Sequence, residues 1–432
     1  MKETENQNPK AVSRSAQAKF ITVDTLEYFI ALMSENAFLA YLMKNIGISD
    51  RLGGIITSFV SLACTAQILS MIFVRPGMRL KGFTITLMTF NQLLFALIYM
   101  IPSVKIPSGV KIAVFSASVL LANILVKMIY PTKFVWETYY AEESKISIYN
   151  ATKETVSLIS GMVFSLCVSA LADRLGARGE IGKGFSICAA VIFGIAVTNT
   201  ALLLTVKEPS AQKTPQSAGS SLSAALMATL GDRIFRKIIV TVSLYNASRY
   251  FSSSFFGVYQ TGALGFSLTY SQICAVLGML FRAFCARPVG KVAARKGQAK
   301  CFCFFMVIYA FSFVIMTFAT PANGKIMFPV YNILYNISLA GIIIPLLAFE
   351  YISAEYRTAA VSITHAIGGV VGFLAATVGG AVLEAVKKNG NKILGITVYP
   401  QQFLSAISFV GTVLTLLYFI KFVILPKRKK EP

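Results

Sequence analysis

Twelve apolar runs, separated by short polar stretches, restrict this chain to one kind of solvent. They fall at roughly 20–43, 52–74, 82–102, 110–135, 154–173, 184–206, 237–257, 266–286, 301–320, 326–349, 359–384 and 401–424. Each holds about 20 residues or somewhat more, the length that carries a helix across a ~30 Å hydrocarbon layer. Within that layer no water pairs with backbone N–H and C=O groups, so each run must close its hydrogen bonds along itself as a helix. Composition agrees: 56% of the 432 residues are hydrophobic, 13% are charged, and mean hydropathy is +0.68. The expected fold class is an all-α integral membrane protein with twelve transmembrane helices.

On a soluble chain a formal net charge of +22 would suggest a nucleic-acid partner. Here the cations lie in loops between apolar runs and not on one soluble face, so they report topology and no nucleic acid is expected. With the N-terminus in the cytoplasm, 26 of the 40 lysines and arginines fall in inner tails and loops and 11 in outer loops. The other three, Lys127, Arg249 and Arg282, lie within the runs. This bias places both termini in the cytoplasm of a cell (plasma or inner) membrane, in keeping with an even number of spans.

The seven cysteines lie in or beside apolar runs without a CxxC pair, and His365 is the only histidine. Neither a disulfide framework nor a metal site is implied. No nucleophile–base pair or phosphate-cradling loop stands out, so the chain does not read as an enzyme. No cofactor is expected beyond a coupling ion, proton or sodium.

Residues 1–19 form a polar tail, 20–206 a first set of six runs and 237–424 a second, with a basic tail at 425–432. The intervening 207–236 loop holds Pro209-Ser210-Ala211-Gln212-Lys213-Thr214-Pro215, a flexible composition. After the eighth run comes a basic loop from Arg287 to Lys300, with five cations and no acid. A fainter copy follows the second run: aligning Arg75 with Arg295 puts Gly77 on Gly297. The chain reads as built twice.

Six plus six spans, cytoplasmic termini, a central loop and these repeated basic loops together resemble the major facilitator superfamily. Its loop signature is G-x-x-x-D-R-x-G-R-[RK]; Gly290, Arg295 and Gly297 match, while Ala294 replaces the acid. In the first half Arg75, Gly77 and Arg79 match, and Val74 stands at the acid position. The resemblance implies two six-helix bundles, a cytoplasmic gate at Arg75, Gly77, Gly290, Arg295 and Gly297, and a central cavity lined by spans 1, 4, 7 and 10. Leu171-Ala172-Asp173-Arg174-Leu175-Gly176 also looks like the signature, but the span count places it outside, as a capped helix end.

An ionised side chain at mid-bilayer costs about 2.5–3.5 kcal/mol on insertion scales, so each one needs a reason. Span 1 holds Glu27 and Glu35; span 4 holds Asn123 and Lys127; span 7 holds Asn246, Arg249 and Tyr250; span 10 holds Asn332, Tyr335 and Asn336. Glu35, Asn123, Arg249 and Asn336 sit near one depth by position along their spans, with Lys127 about one turn away. Two cations against Glu35 suit a solute carrying a carboxylate or phosphate, with asparagines and tyrosines for its hydroxyls. In the competing reading the acids only neutralise the cations, Glu35 with Arg249 and Glu27 with Lys127, around a neutral solute. Glu35 and His365 are the candidates for proton coupling. Glu27 and Lys133, towards the span ends, read as gate or pairing residues.

The expected function is secondary transport of a small polar, anionic solute by alternating access, by a protein that reads as monomeric. Alternatives are a carrier of neutral sugar-like solutes, a drug exporter or a MATE-like flippase. Span five lacks the Gly-Pro motif of drug antiporters.

Overall fold

The computed structural model describes residues 9–68, 80–141, 146–208, 227, 230–338, 347, 357–393 and 396–425. In chain order its helices begin with α1 (Pro9–Met33), α2 (Asn36–Ile46), α3 (Asp50–Thr57), α4 (Phe59–Leu62) and α5 (Leu80–Met100). Next come α6 (Ser108–Thr138), α7 (Ile146–Ala177), α8 (Ile181–Leu204), α9 (Arg233–Ser253) and α10 (Phe256–Thr261). The last are α11 (Leu268–Lys296), α12 (Gln298–Thr317), α13 (Gly324–Ile337), α14 (Arg357–Lys388) and α15 (Pro400–Phe419). Among the described residues the only strands are β1 (Lys392–Ile393) and β2 (Ile396–Thr397), an antiparallel pair between α14 and α15.

Among the described residues, nine helical segments are long and apolar enough to cross a membrane, from Asp50–Ile68 to Pro400–Ile424. Three expected runs fall outside that set for separate reasons. The first is divided at Ser34 and Glu35 into α1 and α2, and the seventh, which carries Arg249, is divided into α9 and α10. In the tenth, residues 339–346 lie outside the described residues.

The division in the first run is supported by the backbone at Asn36 and by side chains both near and distant in sequence. Asn36 takes a positive φ of 50°, which asparagine tolerates better than most residues. The carbonyls at the end of α1 are satisfied by side chains: Ser34 Oγ donates to Ile30 O and Tyr99 Oη to Met33 O, each at 2.6 Å.

The chain forms two compact units, residues 1–34 with 69–218 and residues 35–68 with 219–432. In the first, α5 packs on α6 and α8, and α1 packs on α7. A Cβ at Gly161 would stand 2.5 Å from the Tyr28 ring, so the absence of a side chain lets α7 approach α1 this closely. Buried polar groups thread the unit. Asn91 Nδ2 donates to Ala122 O at 2.7 Å, and the hydroxyls of Thr84 and Thr132 meet at 3.1 Å. In an apolar surround each of these groups needs such a partner.

In the second unit α9 packs on α14 and α15, α11 on α13, and α12 on α13 and α15. Phe302, Met306, Phe313 and Met316 are fully buried in its core. Helix α9 starts at an Asp232 cap whose carboxylate accepts from the N–H groups of Ile234 and Phe235 at 2.6 and 3.0 Å. The α2–α4 segment packs on α10 and α14. Its Ser61 Oγ donates to Gly369 O at 2.9 Å, within the Gly368–Gly372 small-residue stretch of α14. At the ends of α3 and α14, Arg51 pairs with Glu384 at 2.6 Å and Lys387 pairs with Asp50.

One expectation changes. The basic stretch from Arg287 is not a loop: α11 continues through it to Lys296, with Gly290 and Arg295 in the helix, and α12 begins at Gln298. Alanine, lysine and arginine are strong helix formers, so the cation-rich composition that reads as a loop also prolongs the span. The turn is Gly297 alone, at φ 84°, where a side chain would be strained. Arg295 is exposed. The first-half gate residues Arg75 and Gly77 lie outside the described residues. Asp173 and Arg174 lie in the last turns of α7, which stops just before Gly179 at φ 73°.

Candidate functional site

The second unit contains a cation set among tyrosines. The guanidinium carbon of Arg249, on α9, lies 5.0 Å from the ring centroid of Tyr250 and 5.9 Å from that of Tyr335 on α13. The rings continue outward, with centroids 5.4 Å apart for Tyr309–Tyr335, 5.3 Å for Tyr245–Tyr309 and 5.5 Å for Tyr331–Tyr335. Ring faces attract a cation through their quadrupole and are themselves apolar, so they hold the guanidinium without quenching its charge. Arg249 Nε is buried and has no hydrogen-bond partner among the described residues. The ion pairs among the described residues do not include Arg249, so the suggested neutralisation by Glu35 is not formed.

The neighbouring candidates are placed as follows. Asn246, one turn from Arg249, packs its amide against Gly368 of α14, and Asn336 packs against Gly278 of α11. Asn336 Nδ2 donates to Asn332 O at 2.8 Å, and Asn332 Nδ2 to Phe328 O at 3.1 Å. These amide nitrogens are committed to their own helix. Glu35 is exposed and stands at the N-cap of α2, its backbone extended at φ −128°, because the first run breaks there. His365 is half-buried on α14.

Asn123 and Lys127 belong to the first unit, on α6. Asn123 Nδ2 donates to Val119 O at 2.8 Å. Lys127 is half-buried and makes no hydrogen bond or ion pair with any described residue.

Glu27 does not pair with Lys127. It pairs with Lys133, which also holds Asp24. Six residues separate the two lysines, about 9 Å along a helix, which puts Lys133 and not Lys127 opposite the acids of α1. Lys153 of α7 closes the group, 2.8 Å from Asp24 and 2.5 Å from Glu137. Asp24, Glu137 and Lys153 were not among the sequence candidates. A signal existed: Asp24 and Glu27 at i, i+3 on α1, and Lys133 and Glu137 at i, i+4 on α6, each put two charges on one helix face. Beyond the run, Gln17 Nε2 donates to Tyr140 O at 2.7 Å, and Tyr140 Oη donates to Lys207 O at 2.6 Å. Burial pushes the Tyr140 phenol above its ordinary range.

No family model and no curated protein matches the sequence. Solved structures do match its fold. The nucleoside transporter NupG superposes with a TM-score of 0.72 at 14% identity, covering 94% of this chain and 98% of its own. A peptide transporter of the POT family superposes at 0.70 and 12%, covering 93% of this chain and 96% of its own. A D-xylose–proton symporter superposes at 0.67 and 14%, covering 96% and 97%. With its array of apolar helices, this multi-pass membrane chain shares the fold of these solved transporters.

Proposed function

We propose that the chain is a secondary transporter that moves a small polar solute bearing a carboxylate or phosphate across a cell membrane by alternating access. The twelve-span, six-plus-six arrangement with both termini in the cytoplasm, and a monomeric state, are part of this reading. The observation that carries it is Arg249. A guanidinium held by ring faces, whose buried Nε has no hydrogen-bond partner and which forms no ion pair among the described residues, retains both its charge and its fork for an anionic group. Tyr250 and Tyr335 border it; Asn246 on α9 and Asn332 and Asn336 on α13, through their carbonyl oxygens, are further candidate solute contacts, and Lys127 and Asn123 are the candidates in the first unit. Charge of this kind inside a membrane protein has a cost that a purely structural arginine would offset with an acid.

The fold neighbours support a second reading. NupG and the D-xylose–proton symporter are described as carriers of a nucleoside and a sugar. The tyrosines and asparagines around Arg249 suit the ring and hydroxyls of such neutral solutes equally well.

The experiment is uptake into proteoliposomes from a panel of organic acids, sugar phosphates, sugars and nucleosides, repeated with Arg249→Gln. The anionic reading expects uptake of an acid that the variant loses. Uptake of neutral solutes alone, unchanged by the substitution, supports the second reading.

A further inference from the structure

Two asparagines of α13 present one end only. Asn332 Nδ2 donates to Phe328 O at 3.1 Å and Asn336 Nδ2 to Asn332 O at 2.8 Å. A carbonyl oxygen is met only by an N–H, so these bonds fix which end of each amide is nitrogen. At Asn336 the packing agrees. A Cβ at Gly278 of α11 would stand 2.4 Å from its Nδ2, so the nitrogen end is wedged against that helix and the oxygen end turns from it. Neither Oδ1 accepts a hydrogen bond from any described residue. Both residues are half-buried, Asn332 one turn before Tyr335 and Asn336 next to it, so they flank the ring that lies 5.9 Å from the Arg249 guanidinium. The face of α13 that meets the cation therefore offers acceptors, while the nitrogen ends are bonded to their own helix.

Charge decides which donor suits these acceptors. Arg249 enters no ion pair among the described residues, so an anionic group on the solute balances it. An ammonium on the same solute would set a second cation beside the guanidinium, and an unmatched charge within a span is expensive. A hydroxyl donates its hydrogen without adding charge. We propose that Asn332 and Asn336 determine specificity by accepting, through Oδ1, from a hydroxyl on the solute, which is thus a hydroxylated anion: a hydroxy acid, sugar acid or sugar phosphate. The inference rests on the reading of Arg249 as the anion site and adds a direction to it. The hydroxyl must give its hydrogen. A methyl ether keeps the oxygen but has no hydrogen to give, so the site treats it like the analogue with no oxygen there at all.

The purified protein is first screened by thermal shift against lactate, glycerate, gluconate, a hexose phosphate and, without a hydroxyl, propionate. Calorimetry then gives Kd for the best-bound hydroxylated anion and for analogues in which one hydroxyl at a time is methylated, deleted or replaced by an amino group. At one hydroxyl at least, the wild type should bind the ether and the deoxy analogue each about 2- to 12-fold more weakly, the range that one net hydrogen bond supplies. The amino analogue should also bind more weakly than the parent. The double variant Asn332→Ala with Asn336→Ala should bind parent, ether and deoxy analogue alike. That comparison is made within one variant, so a general loss of affinity does not mimic it; if the variant does not fold, the wild-type series decides alone. An ether bound as tightly as the parent at every hydroxyl, tighter binding of an amino analogue, or full discrimination in the folded double variant overturns the proposal. Propionate bound as tightly as the hydroxylated acids overturns it and leaves Arg249 as the anion site. A wild type that binds no anion overturns both.

Discussion

The guanidinium of Arg249 and the ring of Tyr335 lie 5.9 Å apart on different helices, so α9 and α13 are joined through the same cation proposed to meet the solute. A cation over a ring is worth roughly 0.5–2 kcal/mol, depending on how dry the site is. Tyr335→Leu is therefore expected to raise KM for an anionic solute by about 2- to 30-fold. Tyr335→Phe keeps the ring face and should stay near the wild type. A KM series on the two variants checks this; equal losses in both would place the effect on the hydroxyl.

Arginine and lysine are not equivalent at such a position. Lysine keeps the charge but not the planar fork that grips a carboxylate at two points. Arg249→Lys should retain selectivity for anions over neutral solutes while weakening their binding, measured as competition against a labelled anion.

The Lys133 ammonium answers two acids at once. Removing one partner of a buried ion pair typically costs about 3–5 kcal/mol, because the charge left behind stays buried. Lys133→Met should lower the thermal midpoint in detergent markedly. The triple variant with Asp24→Asn and Glu27→Gln should recover much of the loss, since the unpaired charges are gone. A triple variant no more stable than the single one would contradict this account.

Close helix contact at the second unit can be tested by glycine replacement. A Cβ at Gly369 would sit 2.3 Å from Ser61 O, a backbone atom that cannot rotate away. Gly369→Ala is expected to destabilise by about 1–3 kcal/mol, the usual cost of overpacking. Gly109, in α6, has nothing within 4 Å of its Cβ position. There Gly→Ala should be neutral or stabilising by up to about 1 kcal/mol. Thermal midpoints of the two variants give the comparison.

Much of the fold was readable from hydropathy, because lipid forces each apolar run into a helix whatever its neighbours. Span ends were less readable. The stretch from Arg287 to Lys296 looked like a loop by charge, yet its alanines, lysines and arginines continue α11, and only Gly297 imposes a turn. The break at Ser34–Asn36 depends on side chains from elsewhere, such as Tyr99 reaching the Met33 carbonyl, which no local pattern announces. The charge map was half legible. Arg249 stood out as a cation in an apolar run, and the structure shows what holds it. Glu27 and Lys133 were legible as pairing residues near the span ends, and they pair with each other; Asp24, Glu137 and Lys153 were missed because partners are chosen by the helix face each residue occupies, which was not followed along α1 and α6.

The central claim is that Arg249 meets an anionic group on the solute. Its most direct measurement is uptake of a radiolabelled organic acid or sugar phosphate into proteoliposomes by wild-type protein and by Arg249→Gln, with neutral sugars and nucleosides run in parallel. The account predicts that the wild type takes up the anion and that the variant does so no faster than empty vesicles. Anion uptake by Arg249→Gln at the wild-type rate would contradict it.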